Sequence, residues 1–174
     1  MQNVKGPDAN AAREELFCQL VERYQSSLLR MCCVYLKDNA LAEDAVQETF
    51  VKAYRNLTTF RGESSEKTWL MKIAMNTCRD LRRSGWFRMM DRRYTPDMLP
   101  EAVSSSREDD AELVSAVMHL PAKLRQVVLL YYYQGMNTLE IADSLGISQS
   151  SVSGRLKRAR EKLRATLEGR DPDA

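Results

Sequence analysis

Residues 138–164 combine small polar side chains with a dense run of cations. Residues 149–153 contain one glutamine and three serines, whose amide and hydroxyl groups can hydrogen-bond to base edges in the major groove of DNA. Residues 155–164 then carry six basic side chains and one acidic side chain, and such cations suit phosphate contacts. The segment therefore predicts a DNA-reading surface. Its candidate contacts are Thr138, Gln149, Ser150, Ser151, Ser153, Gly154, Arg155, Lys157, Arg158 and Arg160.

A short helix, a tight turn and a long helix are expected to position these side chains. Asn137 followed by Glu140 is typical of a capping box, Gly146 permits the turn, and Ser148 can cap the second helix. This order predicts a helix-turn-helix. The expected wedge between its helices consists of Leu139, Ala142, Leu145, Ile147, Val152 and Leu156. A plain helical hairpin with a basic outer face is the alternative.

A second polar row lies on a predicted helix from about residue 66 to residue 83. Its members are Lys72, Asn76, Arg79 and Arg83. Their spacings of four, three and four place them on one face, opposite Leu70 and Ile73. Cations can hold phosphates while an amide reads a base, so this row is a candidate nucleic-acid surface, with an ordinary solvated face as the alternative. Trp69, on the same helix, is expected in the core.

A third face lies on a predicted helix from about residue 40 to residue 57. It consists of Asp44, Gln47, Glu48 and Val51, on the side away from Phe50 and Tyr54. An acidic and amide stripe with one apolar member can dock another protein. Ordinary solvent exposure is the alternative reading.

Catalytic chemistry is not predicted. The chain has a single histidine, His119, so no nucleophile–base pair is evident. Cys18, Cys32, Cys33 and Cys78 lack the spacing of a zinc site and are expected to be reduced, small apolar side chains. No metal, cofactor or enzymatic activity is therefore expected.

Hydrophobic periodicity of three and four residues predicts an all-α protein with two small helical domains, the second a helix-turn-helix domain. We expect a disordered tail over residues 1–11, a first domain over 12–83, a flexible linker over 84–108, a second domain over 109–168 and a C-terminal tail over 169–174. Pro121 is expected in the first turn of a helix that stops near Gly135. The chain shows neither a membrane span nor a signal-peptide core, which predicts a cytoplasmic location.

Together the motifs resemble the extracytoplasmic-function (ECF) sigma factors of bacteria. The segment from Ala42 to Phe50 resembles the family's region 2 helix, Phe60-Arg61 with residues 67–76 resembles its −10 segment, and residues 139–148 resemble its region 4 helix-turn-helix. The resemblance implies a factor that binds RNA polymerase core, directs it to promoters through −35 and −10 elements, and initiates transcription.

The resemblance also implies partners and site residues. The Asp44–Glu48 face would dock on the β′ clamp coiled coil, and the polymerase β flap and promoter DNA are further expected partners, as is an anti-sigma factor. The loop before the third helix would capture a flipped-out base. The implied −10 contacts are therefore Arg61, Gly62, Ser64, Ser65, Lys72, Asn76, Arg79 and Arg83.

The sequence departs from the family pattern at Ser153 and Gly154, where the family usually carries a basic residue and then a serine. The family's −35 preference is therefore not carried over to this chain. A transcription regulator with a helix-turn-helix domain and a helical sensor domain is the main alternative. Such a regulator would need a sigma factor already on the polymerase, whereas a sigma factor would support transcription by core polymerase alone.

Overall fold

The computed structural model of the chain describes residues 7–83 and 108–169, and within these ranges every regular element is helical. The α-helices are α1 (Pro7–Leu36), α2 (Asn39–Asn56), α3 (Glu66–Arg83), α4 (Glu108–His119), α5 (Ala122–Val128), α6 (Thr138–Leu145) and α7 (Gln149–Leu167). A short 3₁₀ turn (Leu57–Thr59) follows α2, and a π-helical segment (Leu129–Tyr133) follows α5. The predicted all-α class is confirmed.

Helices α1, α2 and α3 pack on one another and form the N-terminal unit. Lys37 adopts a left-handed backbone (φ 59°) between α1 and α2. The side chain of Asp38 then caps α2 by accepting a 2.8 Å hydrogen bond from the amide of Leu41. Fully buried Leu28, Met31 and Leu70 lie in the core of this unit, as the three-and-four spacing of apolar residues predicts.

Helices α4 to α7 form the C-terminal unit, in which α7 packs against α4, α5 and α6. Helix α5 does not stop cleanly near Gly135. Its last turns widen into the π-helical segment, which ends with the amide of Gln134 donating to the carbonyl of Leu129 at 2.9 Å. No local pattern predicts this widening, because the same apolar run fits an ordinary α-helix.

The two units touch along α3 and α6, with further contacts from α1 to α4 and α5. Their buried residues form one continuous cluster. This contact matters for the site because α3 and α6 both carry residues expected to meet DNA.

Several expected boundaries differ from the structure. The expected disordered tail is wrong for residues 7–11, which are already helical in α1. The expected linker lies outside the described residues except at Glu108, which begins α4. Pro121 is the N-cap residue of α5 rather than a member of its first turn (φ −51°, ψ 139°). Most other predicted ends agree within one or two residues, which is the usual uncertainty of helix ends.

Candidate nucleic-acid interface and docking face

Helix α6 begins with the predicted capping box. The side chain of Asn137 accepts hydrogen bonds from the amides of Leu139 (3.0 Å) and Glu140 (2.9 Å). The carboxylate of Glu140 in turn accepts from the amide of Asn137 at 2.8 Å. At the other end Gly146 takes a left-handed conformation (φ 64°, ψ 39°), which a glycine adopts without strain. The predicted start and turn of the helix-turn-helix are both confirmed.

Apolar side chains fix the angle between α6 and α7. Five of the expected wedge residues lie there, with Ala142, Leu145, Val152 and Leu156 buried and Ile147 half-buried. The expectation for Leu139 is wrong, since it is 66% exposed. Leu139 stands two residues before the buried Ile141, which is about 200° around the helix and therefore on the opposite face.

The start of α7 presents the polar side chains that the sequence singles out. Ser148 caps the helix by accepting from the amide of Ser151 at 3.2 Å. The side-chain amide of Gln149 donates to the hydroxyl of Thr138 at 2.8 Å, so the first residues of α6 and α7 form one surface. Exposed members of the predicted reading set are Gln149, Ser150, Ser151, Ser153, Lys157, Arg158 and Arg160, while Thr138, Gly154 and Arg155 are half-buried.

Gly154 leaves open space on α7. A Cβ atom built there would meet only the guanidinium of Arg158, at 4.0 Å. Arg158 also donates to the carbonyl of Gly154 at 3.2 Å. Nothing from α6 packs on Gly154, so no close helix–helix approach within the described residues explains the glycine.

The loop before α3 orders the start of that helix. Gly62 has a left-handed backbone (φ 71°), and Arg61, Gly62 and Ser65 are exposed while Ser64 is half-buried. The hydroxyl of Ser65 accepts from the amide of Thr68 at 3.0 Å and so caps α3. The expected core position of Trp69 is met in part, because Trp69 is half-buried and packs against Phe60 with ring centroids 4.9 Å apart.

The predicted polar row on α3 forms one face, but its members differ in exposure. Asn76 and Arg83 are exposed, whereas Lys72 and Arg79 are half-buried. Arg79 donates to the side-chain oxygen of Asn76 at 3.4 Å. Lys72 forms a 3.3 Å ion pair with Asp143 of α6, which belongs to the other unit. Helix α6 of the C-terminal unit therefore covers part of this row.

Further contacts between the units surround this ion pair. Thr68 donates to the carboxylate of Glu140 at 3.0 Å, and Lys67 donates to the backbone carbonyl of Gln134. The side chain of Gln134 reaches the carbonyl of Ser27 on α1 at 3.4 Å. Sequence reasoning did not predict any of these contacts. The paired residues of α3 and the C-terminal unit lie 67 to 72 positions apart, so no local pattern reports them.

The acidic and amide face of α2 lies as expected. Asp44, Gln47, Glu48 and Val51 are all exposed, and Val51 is an apolar side chain left 43% exposed. The opposite side of α2 is buried in the N-terminal unit through Val46, Phe50 and other apolar residues. Glu48 pairs with Lys52 at 3.3 Å, one turn further along the same helix.

The cysteines are confined to the N-terminal unit. Cys18 is exposed, whereas Cys32, Cys33 and Cys78 are buried. The thiol of Cys78 donates a hydrogen bond to the sulfur of Cys32 at 3.5 Å. This hydrogen bond is the largest cause of the raised pKa of Cys32, and burial is the second. Burial raises the pKa of Cys33 to about 11. High pKa values keep these thiols protonated near neutral pH and unreactive.

Three other observations bear on function. Within residues 7–83 and 108–169, no three histidine, cysteine or acidic side chains approach one another as metal ligands would. No helix in the part that the structure describes is long and apolar enough to cross a membrane. His119 is exposed at the end of α4, with its Nδ1 atom 2.8 Å from the carbonyl of Ser115.

Comparison with known protein families matches both units. The model of Sigma-70 region 2 matches residues 20–88, and the model of Sigma-70, region 4 matches residues 110–163. The class that fold and surfaces define is therefore that of the sigma-70-type factors, with a region 2 that contains α2 and α3 and a region 4 that contains the helix-turn-helix.

Individual relatives narrow the class. The ECF RNA polymerase sigma factor SigL of Mycobacterium tuberculosis is 34% identical, with 97% of each chain covered. The RNA polymerase sigma factor NccH of Alcaligenes xylosoxydans xylosoxydans is 32% identical over 87% of each chain. A solved structure of CnrH in complex with the cytosolic domain of CnrY is 29% identical, covers 91% of each chain and superposes with a TM-score of 0.67.

This chain belongs to the ECF RNA polymerase sigma factors. It binds RNA polymerase core, directs it to specific promoters through −35 and −10 elements, and initiates transcription. The expected family and function are confirmed.

Proposed function

We propose that the promoter and polymerase contacts of this sigma factor are divided among three helices. Helix α7 reads the −35 element, α3 and the loop before it open and read the −10 element, and α2 docks on the β′ clamp coiled coil. The functional domains we assign are residues 12–83 and 109–168, joined by residues 84–108. In this assignment the C-terminal domain also contacts the β flap, and the protein itself catalyses no reaction.

The observation that carries the −35 assignment is the order of side chains along α7. Exposed Ser150 and Ser153 stand in its first turns, where a recognition helix meets base edges. Exposed Lys157, Arg158 and Arg160 follow, within reach of the flanking phosphates. Gly154 lets the helix backbone come close to the bases, because no side chain stands between.

The −10 assignment rests on Asn76 and its neighbours. Asn76 is an exposed amide within hydrogen-bonding distance of the Arg79 guanidinium, which can orient the amide and hold a phosphate beside it. Exposed Arg61, Gly62 and Ser65 line the loop at the start of α3, where a flipped-out base can be received. Lys72 and Arg83 extend the cationic row along the strand.

The polymerase assignment rests on the α2 face. Its polar members are solvated in the free chain, and Val51 supplies an exposed apolar contact that a partner helix can bury. An acidic surface of this kind suits a basic coiled-coil partner through charge complementarity. Burial of the opposite side of α2 holds the face rigid.

An anti-sigma factor is a further proposed partner. Support comes from the solved relative CnrH, whose structure was determined with the cytosolic domain of CnrY bound. We place the sigma factor in the cytoplasm, where polymerase and chromosome meet. Affinity capture from the native cell, followed by mass spectrometry, tests the proposed anti-sigma partner. Recovery of polymerase subunits without any anti-sigma protein would contradict that proposal.

The decisive experiment is transcription in vitro with core polymerase that lacks any sigma factor. The full chain should start transcripts at discrete promoters selected from the native genome. A variant combining Lys157→Gln and Arg158→Gln should lose −35-dependent promoters, while Lys162→Gln and Arg164→Gln, two exposed cations further along α7, together serve as a charge-matched control. If transcription requires a second sigma factor, the chain acts as a helix-turn-helix regulator instead.

A further inference from the structure

A cavity of about 510 Å³ lies between the two units. Both units contribute cations to its lining. They are Arg79, Arg82 and Arg83 at the end of α3, Lys123 at the start of α5, and Arg155 on α7. Among the described residues that line it, none is acidic. Five like charges therefore face one half-open space.

Within residues 7–83 and 108–169, none of these five cations is paired with a carboxylate. Like charges brought together at a contact repel one another and raise its free energy. An anion between them would turn that repulsion into attraction, and this is the physical reason to expect a ligand.

The side chains also define the chemistry of that anion. Four of the five cations are arginines, whose planar guanidinium groups bind phosphate oxygens in pairs. Leu145, Ile147 and Tyr35 supply apolar surface on the same wall. Because the cations come from three helices, they match a ligand with several phosphate groups better than a ligand with a single phosphate. The apolar surface can accept a flat organic group that is attached to those phosphates.

The size of the cavity suits a small ligand. A volume of about 510 Å³ falls in the range of pockets for small ligands. The Thr68–Glu140 and Lys72–Asp143 contacts hold α3 against α6.

We propose that this cavity binds a small anion with two or more linked phosphates, either a nucleoside polyphosphate or an inorganic polyphosphate, and that the anion bridges the two units. The site overlaps the proposed promoter surfaces at Arg79, Arg83 and Arg155. Arg82 and Lys123 belong to the cavity alone.

Isothermal titration calorimetry of the full chain, without DNA or polymerase, tests the proposal. The probes are sodium tripolyphosphate, ATP, GTP and orthophosphate at constant ionic strength. We expect one tripolyphosphate to bind per chain, at least tenfold more tightly than orthophosphate. Tighter binding of ATP or GTP than of tripolyphosphate identifies the nucleotide as the ligand class, and equal or weaker binding identifies the inorganic anion. Absence of tripolyphosphate binding overturns the proposal.

Matched variants locate the site. Arg82→Gln in the N-terminal unit and Lys123→Gln in the C-terminal unit should each weaken tripolyphosphate binding about tenfold, the size of one charge-assisted hydrogen bond. Arg55→Gln and Lys162→Gln make the same chemical changes outside the cavity and should leave the affinity unchanged.

Two results would refute a bridging site. One is weakening by only one of the two cavity variants, and the other is equal weakening by cavity and control variants, which would indicate loose association with surface cations. Because Arg82 and Lys123 are not among the proposed promoter contacts, and the titration contains no DNA, either result would leave the promoter assignments standing.

Discussion

Helices α3 and α7 carry similar rows of cations beside short polar side chains, yet they are presented differently. On α7 most of the reading residues are exposed, and the hydrogen bonds of Gln149 and Arg158 stay within the helix-turn-helix. On α3 the flanking residues Thr68 and Lys72 are engaged by Glu140 and Asp143 of α6. Similar sequence chemistry therefore gives one row that is mostly exposed and another that is partly covered by the other unit, and under the proposed assignment the covered row would bind DNA fully only after the units separate.

The largest effect is expected outside both helices. Glu48→Lys reverses a charge on the α2 docking face, and like-charge contact with a partner should weaken core polymerase binding by roughly 2–4 kcal/mol. Fluorescence anisotropy with labelled core measures the affinity, and circular dichroism checks the fold. Glu22→Lys, the same change at an exposed site on α1, is the control. Equal affinities of the two variants would remove α2 from the interface.

The next effect separates opening from binding on α3. Asn76→Ala should reduce permanganate reactivity of the −10 bubble about tenfold, as expected for loss of one base-specific contact worth about 1–3 kcal/mol. Affinity for core should not change. Gln25→Ala, an exposed amide on α1, controls for the substitution itself. A normal bubble in the Asn76→Ala protein would assign base reading to another residue.

A smaller effect tests the covering of α3 directly. Asp143→Asn removes the partner of Lys72 and should strengthen binding of the free chain to a single-stranded −10 oligonucleotide. Since Lys72 is only half-buried and Asp143 is exposed, solvent screens the pair, and the gain should not exceed about 1 kcal/mol, or about fivefold. Asp80→Asn, which removes an exposed charge on α3 itself, is the control. If the two variants gain equally, general charge rather than the inter-unit pair explains the change.

On α7 the corresponding test concerns Gly154. Gly154→Ala should raise the free energy of unfolding by about 0.5–1 kcal/mol, because alanine restricts the unfolded chain and no neighbour obstructs its Cβ. The same methyl group should weaken or alter −35 recognition by holding the backbone away from the bases. Urea unfolding measures the first effect, and selection from randomised −35 sequences measures the second. Recovery of unchanged sequences with unchanged affinity would exclude Gly154 from the reading surface.

The last prediction concerns a buried thiol of the N-terminal unit. The raised pKa of Cys33, about 11 against an ordinary 9.0, means that the unfolded chain loses this proton first as pH rises. Its contribution to stability is therefore complete below pH 9 and is lost between pH 9 and about 11. Urea unfolding at pH 8 and pH 10.5 should show a larger loss for the natural chain than for Cys33→Ala. Equal losses would show that Cys33 does not contribute.

Local signals predicted much of both units. Capping by Asn137, Glu140 and Ser148 and the turn at Gly146 are encoded within a few residues, because helix ends are stabilised by their own neighbours. The exposed α2 face followed from three-and-four spacing alone. The family's motifs then indicated the function of these surfaces, which the structure by itself does not label.

Hydrophobic periodicity did not predict three features: the π-helical segment, the exposure of Leu139 and the residue at which α1 begins. The π-helical segment at Leu129–Tyr133 and the exposure of Leu139 depend on how the C-terminal unit packs. The start of α1 at Pro7 precedes the apolar stripe from which the helix was predicted.

The sequence by itself determined the helices, their caps and the polar rows that they carry, since these depend on residues three or four positions apart. Only the tertiary structure decided that α6 covers part of α3 and that Arg82, Lys123 and Arg155 face one cavity. These side chains meet across dozens of intervening residues. Which distant helices touch depends on the packing of the whole chain, and no local spacing in the sequence records it.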